Sequence, residues 1–360
     1  MKGKSMITLQ TTKATARVLI VDDSAMVRSI LSQGLAMDSG IEVVGSATDP
    51  YAARDMIVKL SPNVLTLDVE MPKMDGVEFL RRLMPQYPLP VVMVSALTER
   101  GKRITLEALE AGAVDFVTKP STNVAHGLNS MMMELRTKVK IASTANVSHW
   151  KSKKTALVAK VFTETRALAE STDKVLAIGA STGGTEAIKR VVTKFPPTMP
   201  GVVIVQHMPA GFTKMFAERL NQLCLMEAKE AETGDKVRAG LILVAPGGFH
   251  MTLRRSGGFY HVICQKGENV NGHCPSVDVL MHSVAQHAGT NTIGVMLTGM
   301  GRDGAAGMLA MHKAGAKNIA QDEASSVVFG MPKEAYKAGG VDSLVSIENI
   351  AGEVINLLSK

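Results

Sequence analysis

Val175-Leu-Ala-Ile-Gly-Ala-Ser181-Thr-Gly-Gly-Thr-Glu-Ala187 reads as an apolar run, a Gly-rich turn and the start of a helical pattern. A strand covered on both faces gives such a continuous apolar run, and its passage straight into a helix is the step from which parallel α/β sheets are built. The step places the Ser181 hydroxyl at the bend, and Gly179-x-Ser181-x-Gly183 fits the strand–turn–helix pattern that presents a nucleophile. The alternative is a turn that cradles a phosphate, but the turn lacks the P-loop lysine and its glycines do not follow GxGxxG. Two other apolar runs end on the partners such a serine needs. Val202-Val-Ile-Val-Gln-His207 ends on an imidazole, and Ile293-Gly-Val-Met-Leu-Thr-Gly-Met-Gly-Arg-Asp303 ends in a Gly-rich loop with a carboxylate. A serine becomes nucleophilic through a base, and the base through an orienting acid. Each has a plain structural alternative: a core histidine for His207, a helix cap for Asp303.

The first half alternates strand and helix signals. Strands are expected at 17–22, 42–47, 63–68, 90–95 and 115–119, with helices at 25–37, 50–59, 76–84, 105–111 and 123–141. Five strands alternating with five helices imply a flavodoxin-like parallel sheet of order 2-1-3-4-5 with helices on both faces. In the second half, strands are expected at 175–180, 202–206, 226–231, 241–245, 250–254, 260–264, 292–297 and 318–321, and helices at 185–193, 213–223, 276–288 and 304–314. This predicts a mixed, mainly parallel α/β sheet, with 250–264 as a hairpin about Ser256-Gly-Gly. The domain reading is 17–138, a basic linker over 139–173, and a second domain over 174–360.

Hydrophobic residues make up 46% of the 360, enough for two cores, yet apolar runs stop at around eight residues, far short of a membrane span. Met1 to Ala16 is polar, with Lys2, Lys4 and Lys13, and has no apolar signal segment; a cytoplasmic protein without membrane insertion is expected. Cys224, Cys264 and Cys274 are too few and too scattered for a disulfide framework or a zinc site and read as free thiols. The net charge of +7 comes largely from Lys138, Lys140, Lys151, Lys153, Lys154, Lys160 and Arg166. A solvated linker is preferred to a DNA-binding arm, since no nucleic-acid-binding motif accompanies it.

Ligands of an open parallel sheet bind beyond the carboxyl ends of its strands. Those ends carry Asp22-Asp23, Asp68, Ser95 and Lys119. Three crowded carboxylates invite a hard divalent cation such as Mg²⁺, and a lysine with a hydroxyl beside them can hold a phosphoryl group. Taken singly, Asp22-Asp23 reads equally as a helix cap and Lys119 as a surface lysine.

Val21-Asp22-Asp23-Ser24, Leu67-Asp68-Val-Glu-Met-Pro72-Lys-Met-Asp75-Gly76, Ser95-Ala96 and Phe116-Val-Thr-Lys119-Pro120 resemble the motifs of response-regulator receiver domains. The resemblance implies Asp68 as phosphoacceptor, with Asp22, Asp23, Asp68 and the backbone carbonyl of Glu70 around Mg²⁺. It implies Ser95 and Lys119 as phosphoryl partners and Phe116 as the aromatic switch.

Ile178-Gly-Ala-Ser181-Thr-Gly-Gly-Thr-Glu-Ala187, Gln206-His207-Met208-Pro209, Pro275-Ser-Val-Asp278 and Leu297-Thr-Gly-Met300-Gly-Arg-Asp303-Gly-Ala resemble the catalytic domain of the CheB family of chemotaxis protein-glutamate methylesterases. This implies a Ser181–His207–Asp303 triad and the Met300 N–H, near Thr182, as oxyanion donor. The implied activity is hydrolysis of glutamate methyl esters, and deamidation of glutamines, on chemoreceptors. No cofactor is implied for the esterase, and a chemotaxis histidine kinase is implied as phosphodonor. The chain order Ser, His, Asp sets the domain apart from α/β-hydrolases. The rival classes are a receiver with a DNA-binding output and a phosphoprotein with an inactive hydrolase domain.

Overall fold

The computed structural model describes residues 15–359 except 73, 97, 121–123 and 153–172. The N-terminal 14 residues and the linker cations Lys153, Lys154, Lys160 and Arg166 lie outside the described residues.

The first half is an open five-stranded parallel sheet of order β2-β1-β3-β4-β5, as the alternation predicts. Its strands are β1 (Ala16–Val21), β2 (Ile41–Ala47), β3 (Val64–Asp68), β4 (Val91–Ala96) and β5 (Asp115–Lys119). The helices are α1 (Ala25–Ala36), α2 (Pro50–Leu60), α3 (Gly76–Gln86), α4 (Glu99–Ala111) and α5 (Val124–Ala142). Helix α4 starts six residues before its expected position. Thr98 caps it by accepting from the Gly101 N–H at 3.0 Å, and its polar first turn shows no apolar period. Helix α5 runs on to Ala142, and a 3₁₀ turn at Ser148–Ser152 buries Trp150. Lys138 is therefore not a solvated linker cation, whereas Lys140 stays exposed. Lys138 is half-buried in α5 between Asp115 (3.0 Å) and Glu134 (2.8 Å), and Lys140 bonds Asp38 at 2.5 Å.

The second half is built on seven parallel strands in the order β15-β14-β13-β6-β7-β10-β8. They are β6 (Val175–Ala180), β7 (Gly201–Gln206), β8 (Glu227–Glu230), β10 (Leu241–Val244), β13 (Thr292–Met296), β14 (Lys317–Gln321) and β15 (Ser343–Val345). The antiparallel component is a separate sheet of β9 (Lys236–Val237), β11 (His250–Ser256) and β12 (Phe259–Gln265), ordered β11-β12-β9. Helices α6 (Gly184–Val192), α7 (Phe212–Leu223), α8 (Val277–His287), α9 (Ala305–Lys313), α10 (Met331–Lys337) and α11 (Ile347–Leu358) flank the large sheet. Every residue of β6, β7 and β13 is buried, which explains their unbroken apolar runs. No helix among the described residues is long and apolar enough to cross a membrane. The three cysteines are free and half-buried.

Candidate active site and phosphoacceptor pocket

Strand β6 lies between β13 and β7, so the loops after these three strands meet at one sheet end. Ser181 follows β6, with its N–H donating to the Thr298 carbonyl at 3.1 Å and its carbonyl accepting from Gly184 N–H at 2.7 Å. Gly183 is left-handed (φ 75°), a conformation open to glycine. Gln206 Nε2 donates to the Ser181 carbonyl at 3.0 Å, pinning the turn to β7. Gly299 lets the neighbouring loop close in: a Cβ there would stand 2.8 Å from the Ser181 Cβ.

His207 follows β7, and its Nε2 bonds Asp303 Oδ2 at 2.8 Å. Its Nδ1 is buried and has no hydrogen-bond partner among the described residues. Asp303 does not cap α9; Gly304 does. Its carboxylate instead sits on the N-terminus of α8. Oδ1 accepts from Ser276 Oγ (2.7 Å), Asn271 Nδ2 (3.0 Å) and Asp278 N–H (3.3 Å), and Oδ2 from Val277 N–H (2.7 Å). Burial opposes ionisation of Asp303, but the hydrogen bonds from His207, Asn271 and Ser276 hold its pKa well below the usual carboxylate range, and the positive end of α8 acts the same way. The expected Ser181, His207 and Asp303 thus share one sheet end, although no hydrogen bond joins Ser181 Oγ to His207 among the described residues. Met300, half-exposed, follows Gly299 in the loop packed on the Ser181 turn.

His273 was not among the expected site residues. Its ring stacks on His207 with centroids 3.6 Å apart and planes 11° from parallel. Burial, and then the His207 ring, bring its pKa down to about 4, so at neutral pH it stacks uncharged. Nothing in its spacing from the other histidines announces this contact, because the β11–β12 hairpin and the loop after it bring it there.

At the receiver sheet end, Asp22, Asp23 and Asp68 each offer an oxygen within 4.8 Å of the others. Lys119 Nζ lies 3.1 Å from Asp22 Oδ2 and 2.9 Å from Asp68 Oδ2. Burial outweighs the Lys119 ammonium and leaves the Asp68 pKa raised. Lys119 is also pulled down by burial, but Asp68 and Asp22 carry it above its ordinary value. The donor set suits a small hard cation: three carboxylates, with Glu70 lining the same cleft. Ser95 is fully buried: its hydroxyl accepts from Thr105 Oγ1 at 2.6 Å and lies 3.3 Å from the Gly101 carbonyl.

The two halves meet over the Ser181 turn. Thr182 Oγ1 donates to Asp115 Oδ2 at 2.7 Å, and Gly183 N–H to the Val114 carbonyl at 3.2 Å. The Phe116 ring packs on Phe212 with centroids 4.5 Å apart. Arg219 reaches Glu110 through two nitrogens, at 2.8 and 3.0 Å. Asn146 bonds the Val327 and Ala324 carbonyls at 2.9 and 3.1 Å. Lys138 donates to the Phe116 carbonyl at 2.6 Å while holding Asp115. Burial opposes its charge, but Asp115 and Glu134 raise its pKa.

A receiver sheet joined to a parallel α/β domain with a hydroxyl, an imidazole and a carboxylate at adjacent strand ends defines a response regulator with a hydrolase-type output. The response regulator receiver domain model matches residues 18–126, and the CheB methylesterase model residues 176–354. A protein-glutamate methylesterase/protein-glutamine glutaminase of Syntrophotalea carbinolica is 69% identical over 96% of this chain and 98% of its own length. One of Sulfurimonas denitrificans is 53% identical over 96% and 99%. The Thermotoga maritima CheB methylesterase catalytic domain, 37% identical, superposes with a TM-score of 0.50 over 51% of this chain and 98% of that one. The chain belongs to the CheB methylesterase family.

Proposed function

We propose that this chain is a phosphorylation-activated hydrolase that demethylates glutamate methyl esters, and deamidates glutamines, on chemoreceptors. The observation that carries the reading is the buried His207–Asp303 pair beside the Ser181 turn. Ser181 Oγ attacks the ester carbonyl and its proton passes to His207 Nδ1, the nitrogen without a hydrogen-bond partner among the described residues. Asp303 holds Nε2–H and stabilises the imidazolium. The Met300 N–H, with Thr182, faces the oxygen that becomes negative. The C–O bond breaks, the His207 proton leaves with methanol, and water, deprotonated by the same imidazole, releases glutamate. An amide substrate gives ammonia in place of methanol.

Asp68 accepts the phosphoryl group, from a chemotaxis histidine kinase in the cell. Asp22, Asp23, Asp68 and the Glu70 carbonyl would hold Mg²⁺, which when bound screens the phosphoryl oxygens. Lys119 pairs with the added charge, and Ser95 leaves Thr105 and Gly101 of α4 to reach it. Helix α4 and Phe116 border the seam that covers the Ser181 turn, so this rearrangement loosens the cover. Shifting a closed:open ratio from 99:1 to 1:99 takes about 5.5 kcal/mol. The seam is within that range, because an aromatic pair such as Phe116–Phe212 adds about 0.5–1.5 kcal/mol and an exposed pair such as Arg219–Glu110 at most about 1 kcal/mol.

The test is methanol release from methylated receptor membranes, with and without acetyl phosphate and Mg²⁺. The wild-type chain should be accelerated. Asp68→Asn should give one rate whether or not the phosphodonor is present; full activation of that variant would remove Asp68 from the switch. Asp115→Ala should raise the rate without phosphodonor about tenfold or more, the worth of a hydrogen bond to a charged acceptor. An unchanged unstimulated rate would show that the Thr182–Asp115 contact does not hold the cover.

A further inference from the structure

We infer that Asn271 is a positioning residue of the hydrolase site, acting through Asp303. It stands in a tight two-residue turn between Val270 and His273, which pair as an isolated antiparallel bridge. Asn271 (φ 53°) and Gly272 (φ 86°) are both left-handed, and among side-chain-bearing residues asparagine is one of the few that enter that region readily. The amide at the turn does more than tolerate the backbone. Its single Nδ2 donates to Asp303 Oδ1 at 3.0 Å and to Asp278 Oδ2 at 2.7 Å. Both carboxylates are almost wholly buried, at 2% and 7% exposure.

Two buried anions this close repel each other. An NH₂ group has two hydrogens, one for each, so Asn271 ties the pair together without adding charge. The far side of the pair is fixed to the scaffold: Asp278 Oδ1 accepts from the Gly307 N–H at 2.7 Å. Asp278 is thereby an anchor, and Asn271 the link from that anchor to Asp303. The next residue but one, His273, lies flat on the His207 ring. One short turn therefore bears on both members of the acid–base pair, on the carboxylate from its outer edge and on the imidazole from its face. Asn271 is not among the residues lining the cavity beside Ser181, Thr182, Gln206 and His207, so its effect on turnover passes through Asp303.

The residue types that could replace Asn271 separate backbone from amide. Glycine accepts the left-handed conformation and lacks the amide. Aspartate is sterically close and would place a third carboxylate against two. The inference rests on the triad proposed above, so Ser181→Ala is measured in parallel. On methylated receptor membranes with acetyl phosphate and Mg²⁺, Asn271→Gly in the full chain should lose about 10- to 100-fold in kcat, the range of a hydrogen bond to a charged group, with KM nearly unchanged. Asn271→Asp should lose more. The downfield ¹H resonance of His207 Nε2–H, held against Asp303, should move in Asn271→Gly. Wild-type kcat in Asn271→Gly overturns the inference. So does a lowered kcat with that resonance unmoved, since the loss would then lie elsewhere. Activity surviving in Ser181→Ala would remove the triad itself, an outcome distinct from either.

Discussion

Ser181→Ala is expected to cut kcat for methanol release by about 10⁶-fold, the scale on which loss of a serine nucleophile disables a triad. The substitution removes the atom that is acylated in the proposed mechanism, and little else. Ser181 Oγ makes no hydrogen bond among the described residues, and the turn is held by backbone: Ser181 N–H on Thr298, and its carbonyl under Gly184 N–H and Gln206 Nε2. The variant should therefore melt near the wild-type temperature, and its rate can be read as chemistry. Retained turnover in a fully folded variant would take Ser181 out of the mechanism.

Asp303→Asn should lower kcat by about 10⁴-fold, and here stability should fall as well. Five donors converge on the carboxylate: His207 Nε2, Val277 N–H, Ser276 Oγ, Asn271 Nδ2 and Asp278 N–H. An amide has only one oxygen. If its NH₂ replaces Oδ2, it faces His207 Nε2–H and Val277 N–H. If it replaces Oδ1, it faces Ser276, Asn271 and Asp278. Either the imidazole takes the other tautomer or a buried donor is left unpaired, at about 1–3 kcal/mol. The carboxylate's depressed pKa has a consequence of definite sign. Its stabilisation is complete above the unfolded value of about 3.9 and is lost as pH falls toward the folded one. Denaturant unfolding followed from neutral to acid pH should show a steeper loss in wild type than in Asp303→Asn. Equal slopes would mean that the carboxylate is not stabilised as described.

The receiver is legible almost residue by residue. Its strands are short apolar runs that end on the chemistry-bearing side chains Asp22, Asp68, Ser95 and Lys119, so one pattern reports both strand and site. The same holds at Ser181, His207 and Asp303, each placed just past an apolar strand. Helix α11 is also open to reading, since Ile347, Ile350, Ala351, Val354, Ile355 and Leu358 keep helical spacing and are all buried, yet the expectation stops at Gln321. Strand β9, of two residues, and β15, of three, are too short to show a period. Asn271, His273 and Lys138 belong to another class. Asn271 and His273 reach the site from a loop, and Lys138 is held by Asp115, 23 residues earlier in the chain. Local pattern carries no trace of a neighbour that distant in sequence. A basic count along 138–166 takes Lys138 for a solvated charge, whereas two acids from its own half enclose it.

Strand β5 carries Asp115 and Phe116 at its start and Lys119 at its finish. Three residue steps of extended backbone, roughly 10 Å, run from Phe116 to Lys119. That span is short and is hydrogen-bonded to β4 along its length, so it behaves as a stiff beam. Under the proposed switch, a pull on Lys119 at one tip would reach Phe116 near the other through the strand itself, without a relay of side chains.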